Sequence, residues 1–167
     1  SQESHGYAYS YAEQTVVRHL NNKGMETDKR PIVELPKPLK MPKHELLFEE
    51  EWSKIYPGEL VIKRYYFPTA TNKKIDMNKI KGIYYRVQNT SDDLFRTKDW
   101  GMTLSPCWWA CDFKRSLRKK KSGFYNVVID IGSKTMKGFT TNNLHALLSI
   151  LRHQCGPEVI CREGFPW

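Results

Sequence analysis

A chain of 167 residues that is 40% hydrophobic and 13% aromatic has room for one well-filled core, and little for two. This composition excludes wholesale disorder and favours strands; no run approaches the ~20 apolar residues of a membrane-crossing helix, so the expectation is a soluble, cytoplasmic chain, peripheral at most to a membrane. The formal charge of +9 is uneven, with eight Lys or Arg against nine Asp or Glu in residues 1–57 and nineteen against nine in the remainder, so a positive field suited to anionic partners belongs to the C-terminal two-thirds.

Along the chain, Ser10 and Glu13 have capping-box spacing ahead of Val16, Val17 and Leu20, and Gly24 follows, which predicts a short helix. Pro31, Pro36, Pro38 and Pro42 then favour an extended linker. Residues 1–42 therefore read as an N-terminal extension able to contact a second protein, residues 43–157 as the folded domain, and residues 158–167 as a tail. His44 to Trp52 reads as an acidic lead-in, helical or extended.

From Gly58 onward, β-branched and aromatic runs alternate with turn residues. Strands are expected over 59–67, 73–77, 80–87, 100–104, 107–114, 124–130 and 136–140, with a polar turn at 89–93. Thr140 or Thr141 is placed to cap a helix in which Leu144, Leu147, Leu148 and Leu151 form one stripe, with His145 facing solvent and Gly156 and Pro157 ending it. The fold class is thus α+β, mainly β, with no βαβ alternation to indicate a parallel sheet.

Residues 59–154 resemble a pleckstrin homology-like domain. The similarity is carried by the order of elements, above all by residues 126–131, a turn, Lys137-Gly138-Phe139-Thr140 and the leucine-striped helix. It implies a seven-stranded antiparallel bent barrel closed by the C-terminal helix. In members that bind phosphoinositides, cations on the first two strands hold the head group. Lys63 and Arg64, then Lys73 and Lys74, stand at roughly those places, although the basic-x-basic pairing is absent and Pro68 interrupts the loop.

The densest basic run is Lys114, Arg115, Arg118, Lys119, Lys120 and Lys121, expected on a hairpin where mutual repulsion holds the cations out in solvent. The plain reading is a solubilising loop tip; the functional reading is an anion site serving an adaptor that binds an anionic membrane lipid or an acidic protein segment. The alternative is a nucleic-acid-binding barrel using the same cations, with Trp108, Trp109 or Tyr84 stacking on bases. Alternation sends Trp108 and Trp109 to opposite faces, one into the core and the other either covered or at an interface.

Cys107, Cys111, Cys155 and Cys161 read as thiols, because a chain with its own core needs no disulfide staples. Their spacing does not match zinc knuckles, although His153 lies two residues before Cys155. Residues 129–133, Ile-Asp-Ile-Gly-Ser, read as hairpin chemistry rather than a phosphate cradle. No metal, no cofactor and no catalytic constellation is expected.

Overall fold

The computed structural model describes residues 45–89 and 95–167. The N-terminal helix, the proline-rich segment and most of the polar turn lie outside these residues. Ten strands fall into two sheets. In the first, β1 (Phe48–Glu49), β2 (Ser53–Tyr56), β3 (Glu59–Ile62) and β4 (Lys73–Asp76) form an antiparallel meander in that order. Gly58, at φ 78°, makes the tight β2–β3 turn, where a side chain would be strained. The second sheet uses β5 (Gly82–Val87), β6 (Gly101–Met102), β7 (Cys107–Trp109), β8 (Tyr125–Asp130), β9 (Met136–Thr141) and β10 (Ile160–Glu163), arranged β10-β5-β8-β9-β7-β6.

The mainly β class stands, but the seven-stranded closed barrel does not: among the described residues there are ten strands, and the two sheets are not closed into a barrel. Nor is the pairing wholly antiparallel, since β10 runs parallel to β5 and β7 parallel to β9. The expected strand over 59–67 ends at Ile62, where Arg64 turns to φ 49°, and the one over 107–114 ends at Trp109. The acidic lead-in supplies β1, and the tail supplies β10.

The helix α1 (Leu144–Gln154) follows its leucine stripe: Leu147 and Leu151 are wholly buried, Leu144 and Leu148 pack on the core, and His145 is exposed. Its N-cap is Asn143 rather than a threonine of β9, and the Asn143 amide donates to Thr141 Oγ1 at 3.1 Å. One main core joins Ile55, Leu60 and Ile62 of the first sheet with Ile83, Val127, Ile129 and Phe139 of the second and with the helix.

Alternation along β5 and β8 puts Tyr84 and Val128 on the opposite face of the second sheet. There they meet Cys107 and Trp109, and Met136, Phe165 and Trp167 pack against the cluster. The second sheet is therefore covered on both sides, and the last residues of the chain are part of the fold. β7 and β9 pair with Trp109 opposite Gly138, and a Cβ at 138 would lie 2.4 Å from the Trp109 ring. Only a residue with no side chain lets the indole lie flat against β9. Gly138→Ala is expected to cost ~1–3 kcal/mol as an overpacking change, read as a lower urea midpoint with an unchanged slope. An unaltered midpoint would show that the indole has room to move.

Candidate anion-binding loop

Residues 110–123 connect β7 to β8 and carry the basic run. Asp112 organises this loop. Its backbone N–H donates to Asp99 O at 2.8 Å, its Oδ1 accepts from the Lys114 amide at 3.2 Å, and its carbonyl accepts from Arg115 N at 3.1 Å, starting a 3-10 turn over Arg115–Leu117. The Asp99 carboxylate holds the same turn from outside, accepting from both the amide and the hydroxyl of Ser116 at 2.9 Å.

This turn sends two of the six cations inward. Arg115 is 2% exposed and donates to the carbonyls of Lys98, Asp99 and Ala110 and to Thr140 Oγ1, with its guanidinium 4.9 Å from the centre of the Trp109 ring. Burial pushes its pKa down to about 10, which leaves the group charged at neutral pH. Arg118 makes a two-pronged ion pair with Asp112, donates to Gln88 Oε1 at 3.0 Å and lies 4.0 Å from the centre of the Phe124 ring. Neither arginine is a solvent-held cation, and the expectation that both face an anionic ligand is corrected on that ground.

Thr140 Oγ1 completes the network, donating to Asp112 Oδ2 at 2.5 Å and accepting from Gln88 Nε2 at 3.0 Å, while Gln88 also donates to Asn126 at 2.9 Å. Burial by itself would raise the Asp112 carboxyl. The hydrogen bonds from Arg118 and Thr140 and the charges of both arginines outweigh it, and the group sits below the usual carboxylate range.

The other four cations of the run behave as the sequence suggests. Lys114, Lys119, Lys120 and Lys121 are exposed. Beside them project two apolar side chains, Phe113 at 68% and Leu117 at 74% exposure. The charge count alone did not single these out, although Leu117 lies inside the basic run and Phe113 immediately before it. Phe113 continues a ridge in which its ring lies 6.0 Å from Trp100, and Trp100 lies 4.9 Å from the exposed Phe67.

The first-sheet cations are already engaged. Lys63 bonds Glu49 and the Glu50 carbonyl, Arg64 reaches Glu51 at 3.3 Å, Lys74 lies 3.9 Å from Glu59, and Lys73 donates to the Tyr66 hydroxyl at 3.0 Å. Of these, Arg64 shares an open cleft of about 670 Å³ with Trp52, Trp100, Phe113, Lys114 and Arg118, so the structure brings part of the two predicted groups together. Trp109 is fully buried and Tyr84 nearly so, which removes both as stacking surfaces; Trp108 is half-buried with its indole N–H donating to Tyr65 O at 2.9 Å. All four cysteines are free thiols. The segment 129–133 forms the β8–β9 turn, in which the Gly132 amide donates to Asp130 Oδ1 at 2.7 Å.

No family model, no curated protein and no solved structure matches this chain.

Asp112→Asn leaves the buried Arg115 and the part-buried Arg118 without this counter-charge and is expected to cost ~3–5 kcal/mol at neutral pH. Because the folded pKa of Asp112 lies below the ~3.9 of an unfolded aspartate, its carboxylate adds stability that is complete above that pH and disappears as acid carries the solution down through the folded value. Urea titrations over a pH series should show the gap between wild type and variant narrowing below about pH 3.9. A gap that stays constant into strong acid would mean that the ion pair does not hold the loop.

Proposed function

We propose that this chain is a non-enzymatic binding module that docks on anionic membrane surfaces through the loop 110–123. One observation carries the reading: the loop sorts its side chains, turning Arg115 and Arg118 inward as anchors and presenting Lys114 and Lys119, Lys120 and Lys121 together with Phe113 and Leu117. A loop kept only for solubility gains nothing from an exposed phenylalanine and leucine. An acidic protein segment would use the lysines alone, whereas a bilayer interface uses both, taking the lysines at its phosphates and the apolar tips at the acyl boundary. Among the described residues no helix is long and apolar enough to cross a membrane, so docking would be by this surface.

The nucleic-acid reading is weakened by the burial of Trp109 and Tyr84, although the ridge of Phe67, Trp100 and Phe113 keeps aromatic faces beside the lysines. The β8–β9 hairpin followed by helix α1 is the part of the fold that agrees with the pleckstrin homology-like order, and the unclosed sheets and the parallel strands β7 and β10 depart from it.

Sedimentation with vesicles of phosphatidylcholine, with and without phosphatidylserine or a phosphoinositide, tests the proposal. Binding should require the anionic lipid and fade with salt. Replacing Lys119, Lys120 and Lys121 by glutamine should weaken it by about two orders of magnitude, at ~1 kcal/mol per cation near the surface. Phe113→Ser with Leu117→Ser should weaken it further without altering the salt dependence. Equal binding to neutral vesicles, or tighter binding to labelled RNA than to any vesicle, would overturn the reading.

A further inference from the structure

We propose that Cys155 and Cys161 form a reversible oxidation site, in which a hydroperoxide converts the two thiols into an intrachain disulfide. The inference stands apart from the lysine loop and rests on how the four cysteines divide. Cys107 and Cys111 are buried at 0% and 7% exposure, and burial raises both thiols above their ordinary values, which describes unreactive core residues.

Cys155 and Cys161 are half-exposed and line one cavity of about 330 Å³, between the end of α1 and strand β10, walled also by Arg152, Ile83, Pro157 and Val159. Cys155 is the C-cap of α1, with its amide bonded to Leu151 O at 2.8 Å, and Cys161 is fixed in β10 opposite Ile83. Helix and strand therefore bring both cysteines to the wall of the same cavity. Arg152, in the last helical turn, lines the same cavity as Cys161, so the sulfur that would attack lies by a cation. Burial, and after it the charge of Cys161, push the Cys155 thiol up.

The chemistry balances without a metal or other cofactor. The Cys161 thiolate attacks the terminal oxygen of the hydroperoxide, the O–O bond breaks, and the alkoxide or hydroxide leaves, giving a sulfenic acid at Cys161 and reducing the peroxide by two electrons. The Cys155 thiol then attacks that sulfur, forming the S–S bond and releasing water. A dithiol returns the pair to the reduced state.

Treating the full chain with hydrogen peroxide, blocking with iodoacetamide and digesting with trypsin tests this directly. Cleavage after Arg152 and Arg162 releases residues 153–162 with both cysteines, and residues 99–114 carry Cys107 and Cys111 as an internal control. The first peptide should escape alkylation and weigh two hydrogens less, regain both thiols after dithiothreitol, and oxidise at least ~10-fold faster than the control. In Cys155→Ser, Cys161 should stop at the sulfenic acid and be trapped by dimedone. Equal oxidation rates for the two peptides, or crosslinks between chains in place of the internal bond, would overturn the proposal.

Discussion

The loop that faces solvent depends on one buried carboxylate. Asp112 is 6% exposed and meets Arg118, Thr140 and, through Thr140, Arg115, so two guanidinium groups and a hydroxyl converge on a place where an unpaired charge would be costly. Because Arg115 also holds carbonyls on both sides of β7, the network joins the segment before β6, the end of β7 and strand β9. A loop with this much positive charge would otherwise splay. Here two of its own cations serve as fasteners, and the remaining four are held outward from a fixed base.

That base is a sheet covered on both faces. The helix and the four-stranded sheet cover one, and the aromatic cluster around Trp109 the other. The parallel β7–β9 contact brings Trp109 against Gly138 and so under the Arg115 guanidinium, which couples packing on the second face to the charge network at the rim.

Sequence periodicity revealed the parts whose neighbours are close in the chain. The leucine stripe of α1 was legible because burial follows its 3.6-residue repeat, and β5, β8 and β9 were legible as strand-forming runs bounded by turn residues, although both their faces are covered and burial along them does not alternate. Pairing direction was not, since nothing local in Ile160–Glu163 names β5 as its partner. β1 was hidden by Glu49, Glu50 and Glu51, whose charges look like solvent residues, yet Glu49 pairs with Lys54 and Lys63, Glu51 pairs with Arg64, and the Glu50 carboxylate accepts from the Ser53 and Thr141 hydroxyls. At the loop, the sequence showed six cations and not which would turn inward. The available signal was Asp112, three residues before Arg115 and six before Arg118, at a spacing that a tight turn closes.

The aromatic contacts on the second face form a continuous path. Trp167 stacks on Phe165 at 5.0 Å, Phe165 meets Trp109 at 5.9 Å, and Trp109 carries the Arg115 guanidinium at 4.9 Å. The tail and the lysine loop are thereby one mechanical unit: anything that lifts the final tryptophan away, whether a protease, a bulky fusion or a competing surface, loosens the floor on which the outward-facing charges rest.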